Sequence, residues 1–325
     1  MKTVGLDSLE ITVVMEDCGG YGVSLRSQHG VAFLVRACRG TTCRSILFDV
    51  GQNPRNLLYN LKRLNIPLSG IDMIVLSHSH RDHTRGVAKI VSKIQKEKRK
   101  KDLEREEVDR WNFPLVAHMD LFQPVFITDP HLRQYGMIGA DSREKIESVG
   151  GTLFLSKKPL ELMPGLLGSG EIERKTVFED DSELKLFALE DGEPVENRVP
   201  EEIALVAQVQ DKGLVILTGC GHPGIINIIR KAEAITGVGR IEGIMGGLHL
   251  IDASNARILA TIEELCRREI GWIAAGHCTG MRAQMELLRS FAGKFSPLRT
   301  GMTVKIPGEN FHTQGDLLFF GGIKI

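Results

Sequence analysis

The sequence has no net charge: 41 lysines and arginines are matched by 41 aspartates and glutamates. No global field therefore argues for nucleic acid or an anionic membrane surface as a partner. No apolar run approaches the roughly twenty residues that a membrane span needs. Met1 to Glu10 carry charges where a signal peptide needs an apolar stretch, so none is expected. The six cysteines (Cys18, Cys38, Cys43, Cys220, Cys266 and Cys278) are scattered and include no Cys-x-x-Cys pair. A disulfide framework is not expected in a chain of this size, and a reducing, cytoplasmic setting is. Apolar residues are not scarce. A hydrophobic content of 42% over 325 residues can fill a large core, in one large domain or two small ones.

Against that neutral background one segment stands out. Leu76-Ser-His-Ser-His-Arg-Asp-His83 packs His78, His80, Asp82 and His83 into six residues, directly after the apolar run Ile71 to Leu76. The run reads as a buried strand, and the segment after it reads as a helix start. A strand end fixes its side chains, and a tight turn after it can aim four donors at one point. Neutral imidazole suits zinc and other late first-row ions, while a neighbouring carboxylate tolerates manganese or iron. Four donors exceed what one open catalytic metal takes from a single loop, so two divalent ions are expected. Upstream, Ser45 to Gly51 reads as another strand, ending in Asp49.

The rest of the chain repeats a strand–helix grammar. Ile11 to Val14, Val31 to Val35 and Ile46 to Phe48 read as strands. Asn53 and Pro54 then cap and open a helix whose apolar face is Leu57, Leu58, Leu61 and Leu64. Val87, Ile90, Val91 and Ile94 mark the next helix. In the second half, Leu214 to Leu217, Ile241 to Met245 and Trp272 to Ala275 are strands. Between and after them, Pro223 opens a helix with Ile225, Ile228 and Ile229. Ile258, Leu259, Ile262, Leu265 and Cys266 line another, and Met281, Met285 and Leu288 a third. Two such halves imply an α/β fold of two sheets with helices outside, a four-layer αββα sandwich. No linker composition separates two domains, so residues 1–325 are expected to form one. Residues 93–110 carry eight basic and six acidic residues and read as a charged helical insertion.

Three later histidines each follow a predicted strand: His222 in Thr218-Gly-Cys-Gly-His-Pro-Gly224, His249 in Gly246-Gly-Leu-His-Leu250, and His277 in Gly276-His-Cys-Thr-Gly280. Flanking glycines let the backbone come close to a metal or a substrate oxygen. His29 precedes a strand and is placed at the mouth of the site. His118 ends another apolar run, and His131 and His312 read as ordinary loop residues.

The spacing His-x-His-x-Asp-His resembles the metallo-β-lactamase superfamily. The Thr-Gly-Cys-x-His and His-Cys-Thr-Gly pieces are similar to one branch of it, the dihydropterin–aminobenzene ribofuranosyl phosphate synthases of the methanopterin pathway and their relatives. The resemblance runs from about residue 10 to residue 305. It implies the αββα sandwich, with the site along the shared sheet edge. It also implies that His78, His80 and His222 hold one metal, and Asp82, His83 and His277 the second. Zinc is the first expectation, and manganese or iron also fit. Cys220 stands where many relatives carry a bridging aspartate, and Asp49 would orient a metal-binding histidine from behind. His249 and Asp82 are the expected catalytic side chains. Arg85, Arg174 and His29 are the expected substrate contacts.

The chain departs from the branch at Arg85, where a glycine is usual, at Glu173, where a proline is usual, and in the length of the charged insertion. The leading expectation is a binuclear metal-dependent hydrolase of an ester, lactone or phosphoester. The alternatives are a synthase-like condensation and a non-catalytic metal- or ligand-binding protein. Condensation would need a flat pterin pocket, and only 6% of the chain is aromatic. The expected partner is a small-molecule substrate, with or without a phosphate group. Neither a membrane nor nucleic acid is expected, although the insertion could touch RNA phosphates because some superfamily members are nucleases.

Overall fold

Period-two burial explains the two large sheets. In the computed structural model, which describes residues 5–20, 22–102, 112–128, 130–137, 139–180, 185–308 and 312–313, both faces of the central strands are covered. Ile11 and Val13, Phe33 and Val35, and Ile46 and Phe48 point into one apolar layer. Their neighbours Val14, Ala32 and Leu47 point into another. Strands buried on both faces read as continuous apolar runs.

The first sheet runs, in spatial order, His312–Thr313, Met302–Ile306, Ser8–Met15, Ala32–Arg39, Thr42–Phe48, Met73–Val75, Phe113–Ala117 and Gly151–Leu155. Pairing is antiparallel up to Thr42–Phe48 and parallel beyond it. The second sheet runs Phe295–Pro297, Ile270–Gly276, Ile241–Gly247, Gly213–Thr218, Leu205–Val209, Leu166–Gly168 and Leu160–Met163. Its first four strands are parallel and the rest antiparallel. The sheets face each other across a core that includes Phe33, Phe48, Leu217, Met245 and Trp272. Helices Pro54–Arg63 and Val87–Asp102 cover the outer face of the first sheet. Helices Ile225–Thr236, Asn255–Cys266 and Gly280–Ser290 cover that of the second. This is the four-layer αββα sandwich. Phe33 and Phe48 are fully buried, so truncating either to alanine costs about 3–5 kcal/mol.

Several local expectations are corrected. Asn53 does cap its helix, accepting from Arg55 N. The helix expected to open at Pro223 begins at Ile225, with Gly224 at φ 93° as its cap. Helix Asn255–Cys266 buries Ile258, Ile262 and Leu265 as expected but not Leu259 or Cys266, and the last helix presents a different face from the one read off the sequence. Leu259, Cys266, Met281, Met285 and Leu288 are exposed, while Arg257, Thr261, Gly280 and Ala283 are buried. The last helix turns Gly280, Ala283 and Leu287 inward, so its larger exposed apolar side chains were a misleading guide. Cys38 and Cys43, read as unpaired, lie opposite each other across a hairpin and form a disulfide. A smaller sheet, unforeseen, runs Glu193–Asn197, Leu186–Glu190, Val125–Ile127 and Arg133–Gln134. Residues 93–102 of the charged insertion continue the helix that starts at Val87, and residues 103–110 lie outside the described residues. Among the described residues no helix is long and apolar enough to cross a membrane.

Candidate metal centre

The parallel strands end along one edge, and nearly every ligand-type side chain sits just past such an end. Thr42–Phe48 leads to Asp49, Met73–Val75 to His78 and His80, Gly213–Thr218 to Cys220 and His222, Ile241–Gly247 to His249, and Ile270–Gly276 to His277. The carboxyl ends of parallel strands are where α/β sheets place ligands. Asp49, His249 and His277 have φ of 60°, 46° and 50°, in the left-handed region that costs non-glycine residues energy. Such strain persists where the surroundings over-determine it, and it clusters at functional sites. Gly219 has to lack a side chain, because a Cβ there would lie 2.2 Å from Ser77 Oγ.

One group is made of imidazoles alone. The ligand nitrogens of His78, His80 and His222 lie within 4.8 Å of one another. Ser77 Oγ donates to Asp49 Oδ2 at 2.7 Å, so it accepts from His78 Nδ1 at 2.8 Å and leaves His78 Nε2 as a bare lone pair. The Nε2 atoms of His78, His80 and His222 are all buried without a hydrogen-bond partner. Burial and the neighbouring imidazoles push His78 and His222 well down, and burial brings His80 to about 3. Three neutral, buried, unsatisfied nitrogens in one place are costly for protein alone and suit a divalent cation.

The second group mixes charges. Asp82, His83, Cys220 and His277 also lie within 4.8 Å of one another. His83 Nδ1 donates to Asp49 Oδ2 at 2.7 Å, and its Nε2 is 3.1 Å from Cys220 Sγ and 3.3 Å from Asp82 Oδ2. His277 Nδ1 is 2.9 Å from Asp17 Oδ1, and its Nε2 is 3.2 Å from Asp82 Oδ2 and 3.4 Å from Cys220 Sγ. Burial disfavours protonating His83, but Asp82 and Asp49 overcome it and raise the ring to about 10. His277 is likewise held well above its ordinary value, against burial, by Cys278, Asp17 and Asp82. Asp82 is held well below the usual carboxylate range by His83 and His277, again against burial. Among its protein neighbours burial pushes the Cys220 thiol up, so a thiolate there requires added positive charge beside it. His249 stands beside the imidazole group, its ring 3.9 Å from that of His222 and its Nδ1 buried without a partner.

Three of these loops are held from behind by buried acids that, Asp49 excepted, no sequence motif singles out. Asp49 accepts from Ser77 N, and Glu201 from Ser79 Oγ. Glu202 accepts from the backbone N–H groups of Cys220, Gly221 and His222, at 2.9, 2.6 and 2.6 Å. Glu16 accepts from His277 N at 2.6 Å. Burial pushes both Glu16 and Glu202 up to about 7. These partners lie up to 261 residues apart in sequence, so spacing carries no trace of them.

The two groups share a cavity of about 330 Å³. His29 reaches it, 3.0 Å from Asp17 Oδ2 and 3.4 Å from Asp82 Oδ2. Tyr135, Asp17, Cys278 and Arg257 also line it and were not anticipated. Arg257 is buried on a helix face that looked apolar in sequence. Arg85 and Arg174 are not brought to this cavity. Arg85 follows the short helix Arg81–Thr84 and lines a separate groove, while the Arg174 guanidinium turns to the Arg198 carbonyl at a third cavity. His118 is buried with Asp120, Glu171 and Lys157 in a cluster of its own. His131 is exposed, and of His312 only the backbone pairing is described.

Comparison with known proteins gives a consistent result. Residues 29–123 match the family described as the metallo-beta-lactamase superfamily. The chain is 38% identical to the 7,8-dihydropterin-6-methyl-4-(beta-D-ribofuranosyl)-aminobenzene-5'-phosphate synthase of Methanocaldococcus jannaschii, over 92% of this chain and 97% of that protein. It is 29% identical to an uncharacterized protein of the same organism, over 80% and 88% of the two chains. Among solved structures it is similar to Tm1679, described as a metal-dependent hydrolase of the beta-lactamase superfamily, with a TM-score of 0.71 and 22% identity over 91% of this chain and 98% of that one. The metallo-beta-lactamase fold protein YhfI of Bacillus subtilis matches with a TM-score of 0.52 and 13% identity, over 92% and 99%.

Proposed function

This chain belongs to the metallo-beta-lactamase superfamily, on the branch of the dihydropterin–aminobenzene ribofuranosyl phosphate synthases, and from that premise we propose a metal-dependent condensation. The reaction joins a dihydropterin that carries an activated methylene group to an aminobenzene acceptor. The motifs alone favour hydrolysis of an ester, lactone or phosphoester. The 38% identity to a synthase over 97% of its length is the observation that turns the preference to condensation. Metal dependence is supported by the three buried Nε2 atoms that the protein leaves without partners.

In this reading His78, His80 and His222 would hold one divalent ion, and Asp82, His83 and His277 the other, with Cys220 between them. When bound, the ions would act as Lewis acids toward the phosphate leaving group of the pterin substrate. The methylene carbon gains a bond to the amine nitrogen and loses its bond to the phosphate oxygen, and the amine releases a proton. His29 would take that proton on Nε2, a role supported by the hold of Asp17 on its Nδ1. His249, beside His222 in the cavity wall, would contact the substrate. Arg257 supplies a fixed positive charge at the wall, and the Tyr135 ring offers a face for a flat heterocycle.

The test begins with metal content by mass spectrometry on protein purified without a polyhistidine tag or chelator; about two ions per chain are expected. The loaded protein is then incubated with a dihydropterin-methyl pyrophosphate and an aminobenzoate-type acceptor, and products are followed by mass. A joined product with released pyrophosphate supports condensation. Pyrophosphate without a joined product returns the reading to hydrolysis. Metal content below about half an ion per chain, unrecovered by added metals, would leave a non-catalytic binding protein.

A further inference from the structure

A second concave site lies away from the metal centre, between the starts of helices Pro54–Arg63 and Val87–Asp102 and the helix Arg143–Ser148. It encloses about 750 Å³ and shares no lining residue with the metal cavity. Five exposed cations line it: Arg55, Arg85, Lys89, Lys93 and Lys145. The one carboxylate in its wall, Asp141, is buried and already engaged, accepting from Gly86 N at 2.8 Å and Ala88 N at 3.1 Å. Among the described residues none of the five cations lies within ion-pair distance of a carboxylate.

That arrangement costs the free protein something. Elsewhere Lys100, Arg267, Arg268 and Arg289 pair with a carboxylate one turn away on their own helix. Lys89 has no acid three or four residues away. The one that Lys93 has, Glu97, lies 3.1 Å from Lys100. Lys89 and Lys93 instead sit four residues apart as like charges, a spacing that destabilises a helix unless an anion lies between them. The helix ends do not account for an anion here, because Asn53 and Asp141 already take up amides at both. The attraction comes from the side chains.

We propose that this groove binds a small molecule carrying two or more phosphate groups, held by Arg55, Arg85, Lys89, Lys93 and Lys145. Its volume lies within the range of small-molecule sites. Its apolar lining is Pro54, Ala88, Ala140 and Val149, with no aromatic ring, so a nucleobase would find nothing to stack on. Recognition therefore rests on the phosphates. The site does not depend on the reaction proposed for the metal centre.

Isothermal titration calorimetry of the metal-loaded chain with inorganic tripolyphosphate, at physiological salt, tests this. One lysine-dependent equivalent is expected to bind, apart from any taken up at the metals. Lys89→Glu/Lys93→Glu should weaken binding by about tenfold or more, and Lys89→Ala/Lys93→Ala by less. His80→Ala, at the metal centre and outside the groove's lining, should change affinity by less than about threefold. Circular dichroism checks that each variant is folded. Wild-type affinity in both lysine variants overturns the site. So does loss of binding in His80→Ala, which would put the anion at the metals. Binding that disappears at physiological salt would mark an adventitious ion only. A single-stranded oligoribonucleotide that binds more tightly than tripolyphosphate through the same lysines would reassign the groove to a nucleic-acid backbone and sink the small-molecule proposal.

Discussion

Two groups of ligand-type side chains share one cavity, and their protein neighbours leave them in opposite states. His78, His80 and His222 face one another as neutral rings with bare nitrogens. Asp82, His83, Cys220 and His277 instead satisfy one another through short contacts, with Asp49 and Asp17 behind them. Both groups are buried, so burial alone does not set the difference. The deciding factor is carboxylates. Among the described residues no carboxylate lies within ion-pair distance of the first group's rings, and the second group is built around one. The imidazole group is therefore one that a cation would complete, whereas the mixed group would have to give up protons and internal contacts to accept one.

The largest effect that would break this comparison is at the first group. His78→Ala should lower metal affinity by more than about 100-fold, because a direct donor outweighs the residues behind it. Metal retained at wild-type levels, measured by competition with a chromophoric chelator, would show that the bare nitrogens have another purpose. Asp49 touches both groups, through Ser77 and through His83. Asp49→Asn should therefore cost both together, by about 10–100-fold in affinity. A loss confined to one ion would separate the groups more sharply than their geometry does.

Proton linkage gives a finer test on protein stripped of metal. His80 is held near 3 against an ordinary 6.5, so the unfolded chain takes up a proton that the folded one refuses. Its contribution to stability is present above 6.5 and is lost as pH falls toward 3. His83 is held near 10, so its contribution is present below 6.5 and is lost as pH rises toward 10. In urea denaturation across pH, His80→Ala should flatten the acid limb and His83→Ala the alkaline one. If both variants altered the same limb, the two groups would not differ as described. The smallest effect is expected at His118, Asp120 and Glu171, where the Lys157 ammonium lies 2.7 Å from Asp120 and already answers the acids. Glu171→Gln should leave metal content unchanged and shift stability by less than about 1 kcal/mol.

Much of this was legible in the sequence because the chemistry is local. The front cluster spans six residues, and the strands are apolar on both faces, so their ends could be placed. His222, His249 and His277 announced themselves by following such runs among glycines. Glu16, Glu202, Asp17 and Tyr135 did not, because only the topology brings them to the site. Arg257 was hidden inside a helical face that reads as apolar. The exposed Met281, Met285 and Leu288 misled for the reverse reason. Apolar periodicity locates a helix, but side-chain size does not say which face a closely packed sheet will accept.

The grip of Glu202 has a consequence for how such a site can diversify. Its carboxylate takes hold of main-chain amides at residues 220 to 222 and not of the side chains that project from them. The loop's course is thereby uncoupled from the identity of the group it displays. If residue 220 faces an ion as proposed, a carboxylate in place of its thiol would sit on the same mount, and an ion preference would change there without the scaffold first being rebuilt.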